Sequence, residues 1–412
     1  MPRPYRILYV DLAPAVGGSV ISLHHLVEGL DKERYQPHVV LAASNDYAAR
    51  FRELSVPVTL VGGARAMVDD AEQPAVSTLR HSGLVQAIKR NALGEQLVHT
   101  TGFLLRNYPA IQRTARMLGR IIADVSPDLV HLNDAVSVSR PGILAARRAG
   151  RPALCHIRAL TERNAYDRWN GRSLSGLICI SQAVDRHQRT LVGRHDPSWV
   201  VYNGLDLDAF DAAARSGVTR HDLRLGADDV VIGCVGRLVP WKGQEVFLRA
   251  LALLAERHPR VCGVIVGGPE PGGQAHVDVL RKLACSLGIG DRVVWTGFRQ
   301  DVPRLISLMD VLVHASVAPE PFGRVLIEGM AARTLVVGTR AGAVPEIIEH
   351  GQTGLLVTPG DAQAMAAGVE YALDRSAEME RIRERARQVV ERRFTAARYV
   401  RGIERVYEAI LQ

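Results

Sequence analysis

A chain of 412 residues with 47% hydrophobic and 23% charged side chains has the composition of a soluble globular protein and is long enough for two domains of roughly 150 to 220 residues each. No apolar run approaches the ~20 residues that cross a bilayer as a helix. Met1-Pro2-Arg3-Pro4-Tyr5-Arg6 leads into a strand without the apolar stretch and cleavage site of a signal peptide, so a cytoplasmic location is expected. The net charge of +8 favours anionic partners without choosing among nucleotides, anionic lipid and nucleic acid. Cys155, Cys179, Cys234, Cys262 and Cys285 stand singly, with no CxxC pair, which argues for buried thiols over disulfides or zinc.

Arg6-Ile7-Leu8-Tyr9-Val10 reads as a strand, followed by a loop containing Gly17-Gly18 and a helical pattern through Leu30, the opening of a doubly wound α/β domain. Apolar runs recur at 38–42, 56–61, 129–132, 153–157 and 177–180, and their continuous character indicates a parallel sheet covered on both faces. Residues 204–229 are polar and turn-rich and read as a linker. A second alternation has strands at 230–235, 261–266, 293–296, 311–314, 335–338 and 354–357. The expected organisation is a first domain over 1–203, the linker, a second domain over 230–395, and a C-terminal helix over 396–412 that packs back on the first domain.

One region departs from this alternation. Between Leu79 and Ile122, Arg80, Lys89, Arg90, Arg106, Arg113, Arg116 and Arg120 face the single acid Glu95, with Leu84, Val85, Ile88, Phe103 and other apolar residues interleaved. A basic amphipathic segment of this kind can lie on an anionic membrane, and it is equally the pattern of a helical pair with a solvated basic face.

Two α/β domains in series place a cleft between them, with ligand-binding strand ends on either side. Gly236-Arg237-Leu238-Val239-Pro240-Trp241-Lys242-Gly243 follows the first strand of the second domain. Its two cations and the coming helix N-terminus can converge on a diphosphate, or be solvated loop residues. Gly17 and Gly18 allow close backbone approach to phosphate or sugar. In Ala318-Pro319-Glu320-Pro321-Phe322-Gly323-Arg324-Val325-Leu326-Ile327-Glu328 two carboxylates stand eight positions apart. If most of that span is helical it covers about 12 Å at ~1.5 Å per residue, similar to an extended ribose-diphosphate-sugar. A loop Glu in solvent and a helix Glu paired with a nearby Arg are the plain alternative.

Taken in order, Gly17-Gly18, Asn203-Gly204-Leu205-Asp206, the Gly236–Gly243 segment, Pro319-Glu320-Pro321-Phe322-Gly323, Glu328, Gly338-Thr339-Arg340-Ala341-Gly342 and Gly351-Gln352-Thr353-Gly354 resemble the retaining glycosyltransferases of the family 4, group 1 type. The resemblance implies the GT-B fold, two doubly wound Rossmann-like domains facing each other across a cleft. It implies transfer from a nucleoside-diphosphate sugar to an acceptor that is a glycan, a lipid-linked group or a small molecule, with no cofactor and no metal. Asp206-x-Asp208, the nearest match to a metal-binding DxD, lies in the linker.

By the same resemblance Arg237 and Lys242 hold the donor diphosphate, Glu328 accepts the ribose hydroxyls, and Glu320 holds the transferred sugar. Backbone at Phe322 and Gly323 assists Glu320, with Arg324 and Val325 among the donor-binding positions. Phe298 lies where the nucleobase is placed, Gly17 and Gly18 approach the phosphate, and Arg237, Lys242 and Glu320 form the catalytic set. His131, Asn133 and His156 fall at acceptor or sugar positions, Asn133 standing where the family often has a second histidine. Nucleotide sugar is the expected partner, nucleic acid is not, and residues 79–122 offer peripheral association with the inner face of the membrane. The other classes that the residues leave open are a nucleotide-sugar epimerase or phosphorylase on the same architecture, and a non-enzymatic basic protein binding nucleic acid or membrane.

Overall fold

Continuous apolar runs produce strands buried on both faces. In β1 (Tyr5–Asp11) every side chain from Ile7 to Asp11 is buried, and in β4 (Leu129–Leu132), its neighbour in the sheet, all four are. The computed structural model describes residues 3–13, 17–62, 92–161, 164–192 and 197–412. It divides into two units, one formed by Met1–Tyr202 and Tyr399–Gln412, the other by Asn203–Arg398.

In the first unit β1 and β4 are joined by β2 (Tyr35–Leu41), β3 (Val58–Leu60), β5 (Ala153–Ile157), β6 (Gly176–Cys179) and β7 (Ser198–Val200). The order is β3-β2-β1-β4-β5-β6-β7, parallel throughout. Strand succession reverses direction between β1 and β4, the place where doubly wound sheets leave a crevice at their carboxyl ends. The helix Ala396–Leu411 buries Tyr399, Val400, Ile403, Val406 and Tyr407 in the same core as Ile7, Tyr9, Leu23 and Leu26. That apolar stripe needs a partner to cover it, and the first unit's sheet and helices are that partner.

The helix Ala92–Val125 contains Pro109 and buries Phe103, Ile111, Ala115, Leu118 and Ile122. The Phe103 ring lies 4.0 Å from the guanidinium of Arg140, which is itself ion-paired with buried Asp167 at 2.6 Å. Arg106, Arg113, Arg116 and Arg120 are exposed. They recur at helical spacing on the side away from the buried residues. The earlier part of the basic segment, with Arg80, Leu84, Val85, Ile88, Lys89 and Arg90, lies outside the described residues. Among the described residues no helix is long and apolar enough to cross a membrane.

The second unit's sheet comprises β8 (Val230–Val235), β9 (Val261–Val266), β10 (Val293–Gly297), β11 (Val311–His314), β12 (Leu335–Thr339) and β13 (Leu355–Val357). It is parallel, in the order β10-β9-β8-β11-β12-β13, with the reversal between β8 and β11. Its core joins Ile232, Phe247, Leu251, Val313, Val337 and Met365.

Residues 204–229, read from the sequence as a linker, belong to this second unit. The helix Leu207–Arg215 is capped by Asp206, whose side chain accepts from Ala209 N, and it buries Phe210. Asp211 pairs with Arg387 at 2.7 Å, and Arg220 donates to Leu308 O and Asp310. The polar composition is that of a helix surface and its turns, with one buried aromatic as anchor.

Candidate active site

The second unit gathers a polar cluster at the carboxyl ends of β8, β11 and β12. After β8 the chain forms a loop that ends in the single 3-10 turn Pro240–Lys242 and enters the helix Gln244–Arg257 through Gly243. Gly243 has φ 71°, and a Cβ there would lie 2.0 Å from Ala315 O, so only glycine lets this loop press against the chain leaving β11. Val317 N donates to Trp241 O at 2.9 Å, closing the contact.

Glu320 is brought to the same place. Gly342, at φ 60°, sits so close that a Cβ would lie 2.3 Å from Glu320 O, and Ala343 N donates to Glu320 O at 2.8 Å. The Glu320 side chain is buried, and its Oε2 receives Lys242 Nζ at 2.7 Å, His314 Nε2 at 2.9 Å and Ser316 Oγ at 3.1 Å. Burial pushes this carboxyl upward, but the His314 hydrogen bond and the Lys242 charge outweigh it and bring it down to about 2. The Lys242 ammonium also lies 4.2 Å from the Trp241 ring centroid, an attractive cation–ring contact.

The other donor-binding candidates lie around this cluster in different states. Arg237 is exposed and paired with Glu270. Its carbonyl accepts from Gln244 Nε2 at 2.8 Å, which ties the loop to the following helix. Phe298, just past β10, is 77% exposed. Phe322 is buried, its ring 6.1 Å from that of Phe394, so its side chain is part of the core. Gly323 is the left-handed N-cap of the helix Arg324–Ala331, which carries Arg324, Val325 and Glu328. That helix starts four residues after Glu320, so only the second half of the Glu320–Glu328 span is helical, not most of it. The reason is Glu320 itself, held in a β-bridge with Gly342. Glu328 is half-buried and 3.6 Å from Arg324. Burial raises its carboxyl, and the Arg324 charge offsets part of that.

The first unit holds a second cluster, at the carboxyl ends of β1, β4 and β5. His131 is fully buried, with Nδ1 2.6 Å from Tyr407 Oη and Nε2 3.2 Å from His156 Nδ1. Tyr407 Oη donates in turn to Tyr9 Oη at 3.0 Å. Asn133 Nδ2 donates to Asp11 Oδ2 at 2.8 Å and to Ser19 O at 3.2 Å, and its Oδ1 accepts from Arg158 Nε at 2.9 Å. Arg158 also donates to Tyr399 Oη at 3.0 Å. Burial, and then the Arg158 charge, holds both histidines well below the ordinary imidazole value. His131, Asn133 and His156 are therefore interior groups with no exposed surface. Gly17 and Gly18 are different: they open the helix Gly18–Gly29, and a Cβ on Gly17 would meet nothing within 4 Å.

Several residues of these clusters carried no motif in the sequence. His314 reads as the last residue of a strand, Ser316 follows β11 by two residues, and Asp11 and Arg158 stand at the ends of apolar runs with nothing to mark them. Asp134 is raised to about 6, by burial first and then by neighbouring Asp11. The one signal that would have found them is position, since each stands at or just past the carboxyl end of a central strand.

Two parallel doubly wound sheets in series, each with a polar cluster at the carboxyl ends of its central strands, are the architecture of the GT-B class. The profile of "Glycosyl transferases group 1" matches residues 218–389, and that of "Glycosyltransferase Family 4" matches residues 16–209. The chain belongs to the group 1, family 4 glycosyltransferases. It is 32% identical over 249 residues to D-inositol 3-phosphate glycosyltransferase of Mycolicibacterium smegmatis, covering 60% of this chain and 54% of that one. With the protein of the same name from Mycobacteroides abscessus it shares 30% over 277 residues, 66% of this chain and 59% of that one. The chain thus spans about half the length of the curated relatives it matches. Among solved structures, Anabaena HepE in complex with UDP-glucose is similar at TM-score 0.75 and 25% identity, over 98% of this chain and 100% of that one. A glycosyltransferase from Rickettsia africae shares the fold at TM-score 0.78 and 20% identity, over 99% of each chain.

Proposed function

We propose that the protein is a retaining glycosyltransferase that moves a sugar from a nucleoside-diphosphate sugar to an acceptor without a metal ion. The observation that carries this is the Lys242–Glu320 pair at 2.7 Å, buried beside a glycine-shaped loop in the unit that matches the family. Lys242 and Arg237 supply positive charge to the departing diphosphate, the electrostatic work a metal does elsewhere. Glu320 holds a hydroxyl of the sugar, Glu328 accepts from the ribose, and exposed Phe298 offers a ring to the base. The bond from the anomeric carbon to the diphosphate breaks, the acceptor oxygen bonds that carbon on the same face, and the acceptor's proton passes to the leaving phosphate oxygen.

A uridine nucleotide is the first donor to try, because a neighbour at 25% identity was solved with UDP-glucose. Titration calorimetry with UDP-glucose, GDP-mannose and ADP-glucose should show saturable binding of at least one. Glu328→Ala should weaken it about tenfold or more, the worth of a hydrogen bond to a charged group, with an unchanged melting temperature. No binding of any of the three sinks the reading.

A second element of the reading concerns place. Arg106, Arg113, Arg116 and Arg120 stand exposed on the side of their helix opposite the buried residues, which suits peripheral association with an anionic membrane. Flotation with phosphatidylglycerol vesicles should carry the wild type and lose the protein neutralised at Arg113, Arg116 and Arg120. Absence of wild-type flotation removes this element alone.

A further inference from the structure

We propose that His314 is a positioning residue for the transfer: with Ser316 it fixes one oxygen of Glu320, so that the carboxylate meets the donor sugar through Oε1 alone and stays in place when Lys242 turns to the diphosphate. This rests on the nucleotide-sugar reading above and adds to it a residue that no motif marks.

The geometry at His314 leaves little freedom. It is the last residue of β11, its side chain is 3% exposed, and its Nε2 lies 2.9 Å from Glu320 Oε2. An ionised carboxylate only accepts hydrogen bonds, so Nε2 carries the hydrogen. Ser316 Oγ is within 3.2 Å of that same nitrogen and 3.1 Å of Oε2. With Nε2 donating, the serine hydroxyl also donates to the carboxylate. Behind the ring, Thr339 Oγ1 donates to Ser316 O at 2.9 Å. Buried Thr339, at the end of β12, thus locks Ser316 from the far side.

Glu320 is held at both ends as a result. Its carbonyl accepts from Ala343 N, and its Oε2 takes three donors. Among the described residues Oε1 takes none, and it is not one of the enclosed side-chain atoms lacking a partner. It is the side of the carboxylate left for a ligand.

The consequence concerns Lys242. Its ammonium cannot give its full charge to a diphosphate while it neutralises Glu320, and a buried carboxylate that loses its counter-charge drifts toward protonation. The His314 N–H and the Ser316 O–H remain when the lysine turns, so Glu320 keeps its ionised form and its orientation. Retention of one rotamer matters because transfer is sensitive to displacement of the reacting sugar by about 1 Å.

The test uses the full chain with UDP and UDP-glucose as probes, comparing wild type, His314→Phe and His314→Gln. Phenylalanine keeps the ring volume and removes the donor, whereas glutamine restores an N–H near the Nε2 position. Calorimetry of His314→Phe should give UDP affinity within about twofold of wild type and UDP-glucose affinity weaker by ~10-fold. Its kcat for donor hydrolysis should fall on the order of 10²-fold, the usual size of losing one preorganised donor. His314→Gln should return both within about fivefold. If His314→Phe does not fold, Ser316→Ala is read in its place and should show the same split in smaller measure. Equal loss of UDP and UDP-glucose, no loss of either, or a folded His314→Gln that restores nothing overturns the proposal. A wild type that binds neither UDP, UDP-glucose, GDP-mannose nor ADP-glucose overturns the functional reading itself, and this inference with it.

Discussion

Both units end their central strands in buried polar clusters with histidine at the middle, and the two are wired differently. In the first, His131 and His156 are neutral by burial, and their partners Tyr407, Tyr9 and Arg158 lie in the same unit. The C-terminal helix supplies Tyr399 and Tyr407, so the cluster fastens that helix to the sheet. In the second, a carboxylate brought down to about 2 sits between a lysine and a histidine, and among the described residues only one of its oxygens takes a side-chain hydrogen bond. Residue type does not separate the two. What separates them is that the first cluster turns its donors and acceptors inward, while the second saturates one atom and leaves the next one open.

The sharpest way to break this comparison is Lys242→Ala. Turnover should fall by 10² to 10³-fold, as expected for removing charge from the developing anion. The melting temperature should move only a few degrees, because Glu320 keeps His314 and Ser316. Initial rates and thermal melts check both. A collapse of stability with nucleotide-sugar affinity intact in the folded fraction would move Lys242 to the structural side.

Tyr407→Phe probes the other cluster. It strips a hydroxyl from His131 Nδ1 and from Tyr9 Oη, and buried groups left unpaired cost about 1–3 kcal/mol. Chemical denaturation should show that loss, with transfer per folded molecule unchanged within about twofold. A tenfold drop in turnover without a stability change would instead place the first cluster in the reaction.

The smallest effect is in the pH dependence. Both histidines have folded-state values far below their unfolded ones, so the unfolded chain gains protons first and stability is lost as pH falls through about 6.5. Asp134, held up to about 6, and Asp11, also raised by burial, act in the opposite sense, since the folded state keeps their protons. Between pH 7 and 6 the histidines outweigh the two aspartates, so stability should fall. Urea unfolding at the two pH values measures it, and His131→Gln should reduce it.

Much of the fold was legible because its signals are local. The runs at 129–132, 153–157, 230–235, 261–266 and 311–314 coincide with observed strands, since buried parallel strands need unbroken apolar side chains. β7 leaves little trace in the sequence, being three residues long and only partly buried. Residues 204–229 look like a linker in sequence because a short amphipathic helix with one buried phenylalanine is mostly polar. Phe322 stands in the right motif, but its ring belongs to the core. His314 and Arg158 were invisible because a strand-end residue has no sequence signature of its own.

The sequence by itself determined the α/β alternation, the family, and the Glu320–Glu328 pair with its upstream cations. These depend on spacings within a turn, a strand or a loop. Only the tertiary structure decided that Glu320 is pinned through one oxygen and that His131 and His156 are interior. Those outcomes rest on hydrogen bonds between residues 78 positions apart, as for Lys242 and Glu320, or 276 apart, as for His131 and Tyr407. Such pairings are set by how strands and helices pack, which no local spacing encodes.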